Sequence, residues 1–436
     1  MLKHCPKFLT VCVLTLAILV SSVTCSQPAA NTSQKPSSEG SKSEVAKTEP
    51  SKTESTNKTP IRVGQVIDLS GLTADHGDFQ NKAAQLFVEE TNAKGGILGR
   101  PLEVISRDGK ASTPDAVNQA RDLIYSENVD LMIGGTNTSY ALAILDMANQ
   151  AKKVLLSQDS SDDFVKQNYR YVFRVPYLIS AMQAKAAAAY AVEKYPTKKR
   201  YYLIGHDMAF GRTVVGGFKQ RIQELDPNVQ IIGEAYVKPT ETDYNPYITA
   251  ILQAQPDVVF FAWQVGIPFF KQSAPYQLSQ KVQLLSAYWG GVQDMMILSK
   301  DELPVGAVVG GPPWYGIKTP ENDAFVAAFK KKHNIEPKPT AYFEYITLQV
   351  MAEAIKKAGT TDSDKLVQAL EGLEVDTVLG KIKIRALDHQ GTPPYWMGTV
   401  KWDDKLKFGV ISDVLQFDTE KFLPTAAEVQ KQRESK

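Results

Sequence analysis

Beyond residue 25 the chain has no cysteine; the three it contains are Cys5, Cys12 and Cys25. The body of the protein therefore carries no disulfide and no thiol chemistry. An excess of one charge is missing as well: 49 basic side chains face 48 acidic ones, a formal net charge of +1. That balance offers no basic face of the kind nucleic acids demand. The apolar run Phe8–Val20 is too short to span a bilayer comfortably. Catalytic signatures are absent too. There is no Gly-x-Ser-x-Gly elbow, no His-Glu-x-x-His and no phosphate loop ending in Gly-Lys-Ser/Thr. His76, His206, His333 and His389 are scattered and stand at no metal-ligand spacing. The expectation is a chain with no enzymatic activity, no cofactor, no metal and no nucleic-acid partner.

What is present begins with Lys3, His4 and Lys7 ahead of Phe8–Val20, which reads as the h-region of a signal peptide over residues 1–24. Ser22-Val23-Thr24-Cys25 follows and resembles a bacterial lipoprotein cleavage box, with Thr24 where Gly or Ala is more usual. Cys25 would be the acylated first residue; the alternative is plain secretion with cleavage elsewhere. Residues 25–59 are dominated by Ser, Thr, Lys, Glu and Pro, with one Val and no aromatic residue after the cysteine. Such a stretch buries too little apolar surface to offset the entropy of ordering. It reads as a tether with a root-mean-square span on the order of 30 Å.

From residue 60 onward, short apolar runs alternate with helical periodicity. Ile61–Ile67 and Leu102–Ser106 read as strands, Phe79–Lys94 and Pro114–Glu127 as helices. The stretch Val129–Ser157 is the most informative. Val129–Ile133 is a buried-strand pattern closed by Gly134-Gly135; a hydroxyl-rich loop and a helix over Tyr140–Lys152 follow. A loop where a strand's carboxyl end meets a helix start is where open α/β sheets hold ligands. The first-turn N–H groups and helix dipole favour an anion there. Thr138 and Ser139 therefore read either as anion contacts or as plain helix caps. The alternation continues through Arg200–Ile204, Gly211–Leu225, Val229–Ala235, Tyr247–Gln255 and Val258–Ala262. Repeated βαβ units predict parallel sheets covered on both faces. Their length exceeds one usual core, so two lobes are expected.

Several motifs make the resemblance specific: Leu69-Ser70-Gly71 with Gly77; Glu89-Glu90-Thr91-Asn92-Ala93-Lys94-Gly95-Gly96-Ile97-Leu98-Gly99-Arg100-Pro101-Leu102; Ile133-Gly134-Gly135 with Ser139; Phe173-Arg174; and His206-Asp207 with Phe210-Gly211. Residues 60 to about 420 resemble a type I periplasmic binding protein of the branched-chain and hydrophobic amino-acid ABC transporter group. The resemblance implies an α/β fold of two Rossmann-like lobes with parallel sheets, joined by a three-strand hinge. The first lobe would be 60–176 plus 315–400, the second 177–314 plus 401–436. It also implies ligand capture between the lobes, hinge closure, and delivery to permease and ATPase subunits. The protein would stand in the periplasm or on the outer face of the cytoplasmic membrane.

By the same resemblance, a ligand carboxylate meets Thr138-Ser139. The next loop offers a carbonyl at Asp159 and a hydroxyl at Ser161 to an amino group, with Ser160 beside them; Ser160 and Ser161 read alternatively as caps of the turn from Asp162 onward. His76 occupies a position where an aromatic residue often lines the site. Phe210 would pack on the ligand from the second lobe. Trp263-Gln264 and Tyr288-Trp289 follow strand patterns at their carboxyl edge, and these aromatics read either as ligand contacts or as lobe packing and rim structure. One departure matters. The positions at which amino-acid binders of this group carry an acid for the ammonium fall near Ile179 and Ile267, with no replacement acid in 176–182 or 263–271. A buried ammonium without a counter-charge is costly. That opens an alternative ligand: an aromatic or aliphatic carboxylate, or an amide. A sensor of the same fold is a further alternative. Asp388-His389-Gln390 reads as a structural turn.

Overall fold

Strands whose side chains point into apolar layers on both faces carry continuous apolar runs, and Val258–Ala262 (VVFFA) is buried at every position. The computed structural model describes residues 59–71, 73–135, 137–159, 162–176, 180–263, 266–288, 292–311 and 316–435; of the side chains within these, those of Thr138, Ser139, Asp162, Ala181, Ala209 and residues 292–294 are not described. Cys25 and the leader, nearly all of the tether, Ser160, Ser161, Ile179, Gln264 and Trp289 lie outside the described residues.

In chain order the first half holds β1 (Ile61–Ile67), α1 (Ala74–Ala93), β2 (Leu102–Asp108), α2 (Thr113–Arg121), β3 (Leu131–Gly134), α3 (Thr138–Gln150), β4 (Leu155–Ser157) and β5 (Val172–Arg174). Then come α4 (Ser180–Lys194), β6 (Arg200–His206), α5 (Ala209–Leu225), β7 (Gln230–Val237), α6 (Asn245–Ala254), β8 (Val258–Ala262), α7 (Ile267–Ser273), α8 (Leu278–Lys281), β9 (Gln283–Ser286), α9 (Val292–Ile297) and β10 (Val308–Gly310). The rest comprises α10 (Pro320–His333), α11 (Pro339–Ala358), α12 (Ser363–Leu370), β11 (Glu374–Thr377), β12 (Gly380–Lys383), β13 (Tyr395–Asp403), β14 (Phe408–Phe417) and α13 (Ala426–Glu434).

Two sheets organise these elements. The first is five-stranded in the order β2-β1-β3-β4-β5, parallel throughout. One face is covered by α1 and the largely buried α11, the other by α2 and α3. The second sheet is seven-stranded, β14-β13-β10-β9-β8-β6-β7. Phe218 of α5 stacks on Phe260 of β8, with ring centroids 3.7 Å apart. On the opposite face Ile248, Ile251 and Phe269 close the core. The two-lobed α/β architecture follows the sequence expectation, with one correction. The second sheet is not wholly parallel, because β13 runs antiparallel to both β10 and β14. That long hairpin covers a sheet edge which βα repetition alone would have left open.

The segment boundaries also differ from those expected. β13 joins the second sheet from Tyr395, ahead of residue 400. The last helix leaves that lobe: α13 packs on the 3-10 turn Asp162–Gln167, and Val429 is buried among first-lobe side chains. A capping box of Thr425 and Glu428 starts this helix. To the three expected crossings the C-terminus therefore adds a fourth passage, between β14 and α13.

Beneath the strand ends of the first sheet lies a buried polar cluster. Oε2 of Glu344 accepts from Gln158 Nε2 at 2.8 Å and from Gln80 Nε2 at 3.4 Å, and Gln80 also donates to Gln158 Oε1 at 2.6 Å. Burial pushes the Glu344 carboxyl up to about 7, against the pull of the two amide donors. An acid whose proton is held more tightly folded than unfolded favours the fold at low pH. That advantage is lost as pH rises from 4.5 toward about 7. Denaturant titrations should show this group removing up to about 3 kcal/mol across that interval. The Glu344→Gln variant should flatten the segment and outlast the parent protein at mildly alkaline pH.

Candidate functional site

The first-lobe half of the site is assembled where β1, β3 and β4 end. Gly134 and Gly135 take φ of +121° and +81°, a conformation that side chains disfavour, and so turn the chain from β3 into α3. Gln158 N donates to Gly134 O at 2.8 Å, fastening the loop after β4 beside that turn. Thr138 and Ser139 form the first turn of α3, where backbone N–H groups have no intrahelical acceptor.

Asp68, at the end of β1, is 4% exposed and gathers donors from three loops. Thr73 Oγ1 approaches Oδ2 at 2.5 Å and Asn137 Nδ2 at 3.0 Å, while Ala111 N reaches Oδ1 at 2.8 Å and Tyr140 OH at 3.0 Å. Burial and this carboxylate raise the Tyr140 hydroxyl well above the ordinary phenol range, so it stays a donor. α1 begins close against the same strand end: a Cβ on Gly77 would stand 2.0 Å from Asp68 O. The second lobe repeats the device, since a Cβ on Gly211 would stand 2.1 Å from His206 O.

His76 sits in the first turn of α1 and is half-buried. Desolvation holds its imidazole below the ordinary value, partly opposed by Asp75 and Asp68 and reinforced by Lys338. The ring is therefore neutral near pH 7. Lys338 is bonded to Asp75 at 2.6 Å and lies 4.4 Å from the Phe79 ring centroid. Asp159 keeps its carboxylate away from the surface. Its side chain is fully buried and paired with Arg174 at 3.8 Å, and its N–H donates to Ser157 Oγ at 3.0 Å.

On the second lobe, Phe210 in the first turn of α5 and Tyr288 after β9 are both partly exposed. Their rings meet edge-on with centroids 6.3 Å apart. The hydroxyl of Ser286 winds the β9 end by donating to Tyr288 O at 2.9 Å. Tyr288 also lines an apolar pocket near the lobe crossings, with Pro176, Gly311, Phe343, Pro394 and Trp396 around it. Trp263 requires a correction. It has no exposed surface, and its ring packs 4.9 Å from His206, 5.3 Å from Phe269 and 5.8 Å from Tyr244. The strand-end position is as expected, but β8 is an inner strand whose neighbours enclose the indole. Burial pushes the His206 imidazole down to about 4, so it carries no charge there.

The structure thus brings His76, the α3 start and the Asp159 loop together on one lobe, and Phe210 with Tyr288 on the other. Sequence reasoning missed Asp68, Tyr140 and Lys338 as the groups that fix those loops. The single legible signal was an acid directly after β1, ahead of a hydroxyl-rich turn. Among the described residues no cluster of metal-ligating side chains occurs, and no helix is long and apolar enough to cross a membrane.

Three similarities bear on this arrangement. The chain is 22% identical to the Leu/Ile/Val-binding protein BraC3 of Rhizobium johnstonii over 325 residues, 74% of this chain and 86% of that one. An amino acid ABC transporter substrate-binding protein from Pseudomonas fluorescens superposes with a TM-score of 0.76 at 22% identity, covering 85% of this chain and 98% of the other. A solute binding protein of an ABC transporter from Rhodopseudomonas palustris, solved with 3,4-dihydroxybenzoic acid, gives 0.73 at 22% identity, covering 83% and 98%. The resemblance seen in the motifs is borne out. The periplasmic binding protein model matches residues 60–405, and the chain belongs to that family of extracytoplasmic small-molecule binders serving ABC transporters.

Proposed function

We propose that this chain is the capture component of an ABC importer, holding a small apolar carboxylate between its lobes and presenting the closed form to a permease. The observation that carries the reading is the pairing of unlike halves. A glycine-turned helix start with the anion-favouring first turn of α3 stands on one lobe, and the partly exposed Phe210–Tyr288 pair on the other. Closure is then driven by a solute that touches both halves at once. Cys25 carries the lipid, residues 25–59 are the tether, and permease and ATPase subunits are the partners. No catalytic step is assigned to the chain.

Two solute classes suit the site: a hydrophobic or branched-chain amino acid, as the name of the Rhizobium relative suggests, and an aromatic or aliphatic carboxylate without an ammonium group. One observation favours the second. The described acids on the strand-end loops are already matched within the protein. Asp68 takes four donors, Asp75 pairs with Lys338 and Asp159 with Arg174. Asp108 binds Ser70 and backbone N–H groups, and Asp207 pairs with Arg212 at 2.6 Å. α7, which starts at Ile267, contains no acid at all. An ammonium entering here would lose hydration without gaining a free carboxylate. The Rhodopseudomonas protein solved with 3,4-dihydroxybenzoic acid is one protein of this fold that takes such a ligand.

Calorimetric titration with benzoate, 4-hydroxybenzoate, leucine and valine checks the choice. Binding of an aromatic acid at least about tenfold tighter than leucine is expected; preferential leucine binding would return the site to the amino-acid class. Replacing Thr138 and Ser139 together by alanine should abolish capture with an unchanged melting temperature. Phe210→Ala should weaken it about tenfold, the loss of one aromatic contact. Unaltered affinity in both variants would remove the site from this cleft. In cells, Cys25→Ser should move the protein from the membrane to the soluble fraction.

A further inference from the structure

Arg174 is the last residue of β5, where the chain leaves the first lobe, and it is 1% exposed. Its side chain reaches in three directions. Nη2 lies 3.8 Å from Asp159 Oδ2, on the loop that borders the α3 start. The guanidinium stands 4.4 Å from the Phe164 ring centroid, in the 3-10 turn on which α13 packs. Nη1 donates to Gln390 Oε1 at 3.2 Å, on the third crossing. From there the polar chain continues. Gln390 Nε2 donates to Asp388 Oδ2 at 2.7 Å, Arg385 Nε lies 3.3 Å from Asp388 Oδ1, and Arg385 Nη2 donates to Pro424 O at 2.7 Å, on the fourth passage. The backbone follows the same route: Arg174 N donates to His389 O at 2.9 Å, and Gly391 N to Arg174 O at 2.7 Å.

We propose that Arg174 is a positioning residue that couples the loop carrying Asp159 to the chain crossings, so that solute capture on the first lobe and hinge bending are one event. The inference rests on the capture reading above for what the solute does, but not for the linkage itself. A buried ion pair pays a large desolvation cost and persists only with further partners. Here those partners are not confined to the lobe that holds the pair. They run across the Asp388-His389-Gln390 turn to the last connection before α13. A solute pressing on the Asp159 loop shifts the guanidinium, and the guanidinium cannot move without Gln390. Coupling of this kind needs a physically continuous element that both sites bias, and the Asp159–Arg174–Gln390–Asp388–Arg385 chain is one.

The test uses the absence of cysteine after Cys25. Spin labels at Glu353→Cys on α11 and Gln223→Cys on α5, with Cys5, Cys12 and Cys25 replaced by serine, report the distance between lobes. Gln390→Ala cuts the chain on the hinge side and leaves the Arg174–Asp159 pair intact, so it keeps the fold where Arg174→Met is at risk. With 4-hydroxybenzoate and leucine as probes, the Gln390→Ala protein should bind about tenfold more weakly than the parent, with a smaller distance change at saturation. Without probe its distance distribution should be broader than the parent's. Arg174→Lys, which keeps the charge but loses the fork, should behave in the same way. If neither probe moves the labels in the parent, the capture reading fails, and the coupling is judged on the probe-free distributions alone. Parent-like distributions in both variants, with or without probe, would overturn it.

Discussion

The carboxylate of Asp68 is the constraint on which the site depends. It is buried at the end of β1 and takes four donors, from Thr73, Ala111, Asn137 and Tyr140, which belong to three different strand-end loops. A buried carboxylate is tolerable only when its lone pairs are used in this way. In return, the start of α1, the approach to α2 and the start of α3 share one reference point. A rigid rim follows, and against it the glycine turn after β3 can present the first turn of α3 in a fixed direction. Anion recognition by a helix start is weak unless the N–H groups are held where the charge will be, since ordering them on binding would consume the gain.

The two halves of the cleft are chemically unlike, and the difference comes from the strands beneath. At the ends of β1, β3 and β4 the first lobe carries Asp68, Gly134-Gly135 and Ser157, residues that turn and hydrogen-bond. The second carries His206 at the end of β6, Trp263 directly after β8 and Tyr288 two residues beyond β9, and of these three Tyr288 alone is not buried. Burial strips His206 of charge. Together with the matched acids on the loops, this leaves a cleft whose second half offers surface and ring edges in place of ionic contacts. The apolar carboxylate proposed above would lose little hydration against such a lining.

Much of this was legible in the residues. The βα alternation from β1 to β9, the loop after β3 and the family likeness all came from periodicity and from strings such as Asn92-Ala93-Lys94-Gly95-Gly96. Three features were not legible, each for a physical reason. β13 and β14 read poorly because an edge hairpin half exposed to water mixes polar and apolar residues, and its direction is set by its partners. Trp263 looked like a rim residue because local sequence shows that it follows a strand; enclosure by Tyr244, Phe269 and His206 is a property of strand order. The burial of the Asp159 carboxylate was not legible because nothing near it in sequence announces Arg174, its partner across the β4–β5 connection.

The return of α13 to the first lobe changes how the hinge must be understood. With three crossings, the lobes could turn about a bundle of strands whose far ends are free. With the chain end fastened on the 3-10 turn Asp162–Gln167, through Val429 and that helix's packing, the last connection closes a loop around the hinge. That turn is the direct continuation of the segment that begins at Asp159. In the coupling proposed above, opening of the lobes pulls on that same short stretch. In a capture protein the difference between open and closed forms carries the message to its transporter, and here α13 ties the last lobe connection to the first-lobe turn that follows Asp159.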